Sequence, residues 1–427
     1  MKLRGSNIVK RGGHMATIKT FKGIRPRSDM AASIAALPFD VFDRYGAREA
    51  VEKNPISFLR IDRAETQFPE DVDMYSRPVY ERARDTIKEM IEDGTFIQDD
   101  KPMYYLYALT MNGNTQNGIV GCASIDDYQN GVIKKHEETR EDKELDRINH
   151  IDICSAQTGP IFMAYRKVAE VSKLIEEVKK TTAECDFYSD DGVRHQVWKI
   201  DDESKIQIIT EAFKKIDSIY IADGHHRTAS AVKVGLKRRK EKPDYTGEEE
   251  FNYFLSVFFA QDELKILECN RVVMDLNGYK PNEFLKLLEK DFYISKEDTK
   301  NIEPKEKGEI AMYLANRWYL LKEKNACTSK DPVAVLDVST LHDKILEPIL
   351  GIDNPKTNVR ILYIGGIKDV EYIKELADKS GGVTFVMYPT SIDEMFAVAD
   401  ANMLMPPKST WFEPKLRSGL FIHKIEE

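Results

Sequence analysis

The stretch Ser218 to Leu236, SIYIADGHHRTASAVKVGL, constrains the fold more than any other. SIYIA has the form of a short buried strand, and an apolar-periodic helix follows from about His225 to Lys240 with only Asp223 and Gly224 between them. A strand delivered straight into a helix must lie in a sheet that the helix covers, so the stretch demands a layered α/β arrangement.

The rest of the chain agrees. PMYYLYALTMNGNTQNGIVGCASIDDY places aromatic and β-branched runs on both sides of an Asn/Gly turn, which predicts a hairpin over Met103 to Ile125. SRPVYERARDTIKEMIEDG reads as an amphipathic helix closed by Gly94, and ISFLRID before it reads as extended. VRHQVWKI, NYFLSVFFA, LKILECNRVV, RWYLLKE and VRILYIGG read as strands, and Ser391 with Glu394 forms a capping box that starts a helix. The fold class is therefore α/β, a mixed α+β chain. It divides into an N-terminal α/β region over 15–102, a core over 103–270 and a C-terminal α/β region over 271–427, with a soft boundary near Asn270 to Gly278. The opening MKLRGSNIVKRGGHM reads as a leader, which makes Met15 the expected start of the folded chain.

Composition excludes several classes. With 63 basic and 72 acidic residues the net charge is −9, which argues against broad attraction to nucleic acid or to anionic membrane. The five cysteines are scattered without CxxC spacing, so neither a disulfide framework nor a zinc knuckle is indicated, and a reducing cytoplasm is expected. No apolar run is long enough to span a bilayer.

Three constellations can carry chemistry. In ADGHHR, Gly224 permits close backbone approach, and the first-turn amides of the helix point at whatever lies ahead of it. That is an anion site, to which Arg227 adds a bidentate donor and His225 and His226 add donors or neutral ligands. Asp223 either caps the helix or holds the divalent cation that accompanies phosphate, Mg²⁺ being the expected ion. The plain alternative is an ordinary Asp cap beside a satisfied histidine pair. A zinc site lacks partner ligands.

In KKHEETREDKELDR, Glu137 stands beside His136 and two lysines, where a carboxylate can serve as a general base near phosphate, with Glu138 as its understudy. The alternating charges that follow read as a solvated helix with i,i+4 pairs. In MPPKSTWFEPKLRSG the prolines fix the loop that presents Lys408, Ser409 and Thr410, a set suited to a phosphate monoester or a small carboxylate, and a structural turn is the alternative. The basic helix end KRRKEK is read as solvated and favourable to the helix dipole rather than as a DNA contact.

ADGHHR after a strand resembles the signature of the ParB/sulfiredoxin-like superfamily. The order KKHEETREDKEL, ADGHHR, MPPKSTWFEPKLRSGLF resembles the free-serine kinases of that superfamily. NPISFLRI, NGVIKKHE, YIADGHHR and PPKSTWFEPKLRSGLF resemble a related bacterial ParB-like family with a DGHHR motif, from Met15 onward. The resemblance implies a ParB/sulfiredoxin-like nucleotide-binding core with additional N-terminal and C-terminal regions, and phosphoryl transfer between ADP or ATP and L-serine or O-phosphoserine. It implies Glu137 as the base, helped by His136. Asp223, Gly224, His225, His226 and Arg227 would form the nucleotide-phosphate turn, and Lys408, Ser409 and Thr410 the phosphoserine loop. The kinase likeness is confined to the three motifs, and the longer interval between Glu137 and Asp223 puts the substrate in question. Two other classes compete. A ParB-like nucleotide switch or DNA-binding regulator is opposed by the acidic charge, and a sulfiredoxin-like repair enzyme by the histidines standing where that chemistry puts a cysteine.

Overall fold

Among the residues described by the structure, a computed structural model covering 15–297, 302–366 and 370–426, strands and helices interleave as the sequence demands. The leader lies outside the described residues. The chain forms two compact units. One takes in Met1–Lys134, Thr139–Glu263 and Pro414–Glu427, and the other Lys135–Glu138 and Leu264–Glu413.

The first unit is built on a nine-stranded sheet. Its strands are β1 (Ile18–Lys19), β2 (Tyr104–Met111), β3 (Asn114–Ser124), β4 (Ile133–Lys134), β5 (Ile161–Tyr165), β6 (Cys185–Tyr188), β7 (Arg194–Ile200), β8 (Ile219–Asp223) and β9 (Tyr253–Ala260). Their order is β4-β8-β5-β9-β3-β2-β7-β6, with β1 also paired to β3. The predicted hairpin is β2–β3, in antiparallel register from Tyr105↔Val120 to Met111↔Asn114. Strand β2 is buried along most of its length and on both faces, so its tyrosines need polar partners for their hydroxyls. Tyr105 donates to Asp99 at 2.8 Å, and Tyr107 pairs with His195 Nδ1 at 2.8 Å.

Strand β8 runs parallel to β4 and antiparallel to β5, and feeds a helix over His225–Glu241. Three helices matter below: α1 (Arg77–Glu92), α2 (Glu141–Cys154) and α3 (His225–Glu241). Helix α2 packs on both α1 and α3. Separately, Ile24, Phe58, Leu59, Ile61, Val79, Ala83 and Phe96 form a second apolar cluster of this unit.

The second unit carries a six-stranded, wholly antiparallel sheet. Its strands are β10 (Cys269–Val273), β11 (Phe292–Glu297), β12 (Glu309–Leu314), β13 (Arg317–Glu323), β14 (Ile361–Gly365) and β15 (Val383–Met387), in the order β11-β13-β12-β15-β10-β14. The capping box is present: Ser391 Oγ accepts from Glu394 N at 3.2 Å, and Glu394 returns a carboxylate oxygen to Ser391 N at 2.8 Å, opening helix α4 (Ile392–Asp400). Among the described residues no helix is long and apolar enough to cross a membrane.

Two expectations are corrected. ISFLRID is not extended; Leu59–Asp62 is a helical turn. Phe58, Leu59, Ile61 and Asp62 are all buried, and alternation along a half-exposed strand could not bury neighbours in this way. Nor is the charged helix α2 a solvated one, since Glu144, Asp146, Arg147 and His150 are each at most 8% exposed. The charges on this buried face are met by tertiary partners such as Tyr80 and Lys233, while Glu141 and Asp142 at the helix start remain exposed.

Candidate functional site

At the end of β8 the backbone turns through Gly224, whose φ of 97° lies in the left-handed region that favours glycine. The first intrahelical bond of α3 runs from Thr228 N to Gly224 O at 2.9 Å, so the amides of His225, His226 and Arg227 precede the ladder. Gly224 itself occupies the cap position, and no side chain caps the helix. Asp223 is therefore not the cap. Its Oδ1 accepts from Gly224 N at 2.8 Å, which holds the turn, and its Oδ2 accepts from Lys415 Nζ at 3.0 Å.

That arrangement does not suit Asp223 as a Mg²⁺ ligand. One carboxylate oxygen braces the backbone and the other faces a fixed ammonium, which would repel a dication at the same place. The turn instead joins two cationic side chains, Lys415 and Arg227, to the positive end of a helix dipole.

Arg227 folds back over the turn. A Cβ placed on Gly224 would meet its Nε and Nη2 at 3.3 Å, and its Nη1 donates to Pro160 O at 2.7 Å. Gly159 lies under the same side chain, where a Cβ would meet Ser418 Oγ at 3.1 Å and Arg227 Nη1 at 3.4 Å. Gly159, Pro160 and Ser418 thus shape the site. The dipeptide Gly159-Pro160 ahead of the strand-like run IFMAY was the available sign for the first two.

The two histidines behave differently. His225 is buried, whereas His226 Nε2 accepts from Arg140 N at 3.0 Å. Since a backbone amide can only donate, Nε2 carries the lone pair and any proton of the neutral ring is on Nδ1. Close by, burial works to raise the Glu144 carboxyl, but Lys233 and Thr139 outweigh it and hold it below the usual carboxylate range.

Three residues at the basic end of α3 are paired within this unit. Arg239 makes a two-pronged bridge to Asp126 at 2.7 and 2.8 Å, Arg238 bonds Asp152 and Glu426, and Lys237 reaches Asp152 at 2.6 Å. These three side chains are paired with carboxylates rather than simply solvated, which the sequence reading did not anticipate.

The remaining predicted residues belong to the second unit, where the fold joins two segments far apart in sequence. His136 is buried, its Nε2 lies 3.3 Å from Thr410 Oγ1, and its carbonyl accepts from Met405 N at 2.8 Å. Glu137 is half-buried, and Glu138 pairs with Lys356 at 3.1 Å. The proline loop turns at Lys408, with φ 56°; its carbonyl accepts from Arg271 Nη2 at 3.0 Å and its side chain is exposed. Ser409 Oγ donates to Pro406 O at 2.6 Å and its carbonyl accepts from Thr390, so Ser409 holds the loop while Lys408 and Thr410 are presented by it.

A family model described as "Protein of unknown function (DUF1015)" matches residues 18–339. A search of curated proteins returned no match. Similar solved structures include a free serine kinase in complex with AMP, at 13% identity and a TM-score of 0.34, covering 72% of this chain and 91% of that one. A conserved hypothetical protein from Pyrococcus furiosus matches at 13% identity and a TM-score of 0.33, over 72% of this chain and 95% of that one. C-terminally truncated SbnI from Staphylococcus aureus matches at 11% identity and a TM-score of 0.36, over 71% and 87%.

Proposed function

The chain belongs to the DUF1015 family, and we propose that it is a phosphotransferase working between a nucleotide, ADP or ATP, and L-serine or a similar small hydroxylated metabolite. The observation that carries this reading is Arg227 folded over a left-handed Gly224 at the start of a 17-residue helix, with Lys415 held beside it by Asp223. Three sources of positive potential converge on one turn: helix amides, a guanidinium and an ammonium. Phosphate oxygens are the ligand that uses all three.

Phosphoryl transfer asks little covalent chemistry of a protein and much positioning of charge. In this reading Arg227 and Lys415 hold the nucleotide phosphates, with His225 and His226 adding contacts. Glu137 takes the proton of the acceptor hydroxyl, His136 fixes the backbone on which Glu137 stands, and Lys408 and Thr410 serve the acceptor. Mg²⁺ would enter with the nucleotide, as part of the substrate. The reading includes the ParB/sulfiredoxin-like core that the motifs resemble, and a cytoplasmic setting.

The test is phosphorus NMR of the protein with Mg²⁺, L-serine and either ATP or ADP, alongside O-phosphoserine with AMP or ADP. A new phosphomonoester resonance is expected, absent in Glu137→Gln although that variant still binds nucleotide. Nucleotide binding with no transfer in either direction would overturn the enzyme reading in favour of a nucleotide-responsive regulator.

A further inference from the structure

A cavity of about 230 Å³ in the first unit is lined by groups that the phosphotransfer reading does not use. Its inner wall holds Asp62, Arg63, Glu65, Asp146 and Arg147, each at most 8% exposed. Charges buried this deeply are costly unless paired, so their hydrogen-bonding capacity should be fully engaged. It is only partly so.

Arg147 spends Nε and Nη2 on Asp146 and on the Asp62 carbonyl, and its face lies over the Phe39 ring at 4.0 Å. Arg63 spends Nε on Glu65 and Nη1 on the carbonyls of Phe39 and Phe42. Among the described residues, Arg147 Nη1 and Arg63 Nη2 donate to nothing. The acids match them: Asp62 accepts from Thr158 on Oδ1 alone, and Glu65 accepts from Arg63 on Oε1 alone. Asp146, by contrast, is filled by Tyr80 and Arg147. Two guanidinium donors and two carboxylate oxygens are therefore left over, both signs facing one cavity.

We propose that this cavity binds a small α-amino acid as its zwitterion, the carboxylate taking the spare N–H groups of Arg63 and Arg147 and the ammonium donating to Asp62 and Glu65. The lining as a whole sets five carboxylates against four cationic side chains, a net negative charge that disfavours a phosphate or nucleotide. A zwitterion satisfies both signs without adding net charge. Phe39, Asp62, Arg147 and His150 also line a neighbouring cavity of about 20 Å³ with Gly159 and Arg227, so a side chain extending past Asp62 in that direction would have room only for a group of about water size. The site goes beyond the phosphotransfer reading and stands without it, so its test contains no nucleotide.

Calorimetric titration of the full chain with glycine, L-alanine and L-serine tests the proposal, with ethanolamine, N-acetyl-L-serine and inorganic phosphate as comparison ligands. At least one amino acid is expected to bind, with at least tenfold weaker binding of ethanolamine, which lacks the carboxylate, and of N-acetyl-L-serine, which lacks the ammonium. Arg147→Lys, which keeps the charge but loses the planar fork, is expected to weaken amino-acid binding tenfold, and Thr158→Val, which releases Asp62, to change it as well. Absence of amino-acid binding, equal affinity for ethanolamine, stronger binding of phosphate, or affinity unmoved by both substitutions would each overturn the assignment. Glycine and L-alanine, which have no hydroxyl to accept a phosphoryl group, separate this cavity from the acceptor site of the proposed reaction: failure of both to bind the unaltered protein overturns the assignment even if a variant fails to fold.

Discussion

Replacing Gly224 by alanine tests the glycine turn where its geometry is most demanding. Holding an L residue at positive φ costs roughly 1–2 kcal/mol. The new Cβ would meet Arg227 Nε and Nη2 at 3.3 Å, so the guanidinium must shift. Its bond to the Pro160 carbonyl, 2.7 Å long, has a charged donor, a class worth about 1.5–3 kcal/mol. If the shift breaks that bond, the substitution costs about 2.5–5 kcal/mol in all. Gly94→Ala supplies the control, because Gly94 also has positive φ (78°) but nothing within 4 Å of its Cβ position, leaving only the backbone part of about 1–2 kcal/mol. Urea unfolding of both variants gives the two free energies, and calorimetric titration with ADP gives the effect on binding. Gly224→Ala is expected to be the more destabilised and to bind ADP at least tenfold more weakly, while Gly94→Ala keeps wild-type affinity. Equal destabilisation in the two variants with ADP affinity intact in both would refute the argument that Arg227 is stacked on this turn for a ligand's sake.

Lys415→Met should leave Asp223 holding the turn through Gly224 N while removing the ammonium from its second carboxylate oxygen; ADP affinity is expected to fall with a shallower salt dependence. Unchanged ADP affinity would remove Lys415 from the phosphate site. His195 offers a pH test: it is fully buried between Tyr107 and Ser189, and burial, aided by the nearby Arg417 charge, lowers its pKa to about 3. Its folded pKa lies below the unfolded value, so the unfolded chain takes up the proton first. The stabilisation is whole above about pH 6.5 and is lost as pH falls toward 3, at up to about 1.4 kcal/mol per pH unit. Unfolding free energies measured between these limits should lose about one proton's worth of slope in His195→Gln, and identical slopes would show that the ring is protonated in the folded state.

How far the sequence could be read depended on the distance between partners. The capping box of Ser391 and Glu394 spans three residues, the β2–β3 hairpin is closed by a local turn, and the β8–α3 junction is marked by one glycine; all three were legible because period and turn chemistry act over a few positions. ISFLRID failed because a short apolar run fits either period, and only the surrounding core, which buries Phe58, Leu59 and Ile61 together, decides between them. Helix α2 failed for a related reason. Alternating charges look like a solvated face until Tyr80 of α1 is found donating to Asp146, and Lys233 of α3 is found on Glu144.

The candidate site divides along the same line. Its motifs were visible, but the partners that give them chemistry were not: Lys415 lies 192 residues from Asp223, and Thr158 lies 96 residues from Asp62. No periodicity links such pairs, since only the tertiary fold of the unit that contains both brings them together. This explains why Asp223 could be read as cap or metal ligand from its neighbours alone. One ammonium delivered by the C-terminal segment changes its role, and with it the sign of the charge that the turn presents to a ligand. Lys415→Met therefore probes more than one contact: it asks whether the turn is cationic by design of the whole fold or by the helix end alone.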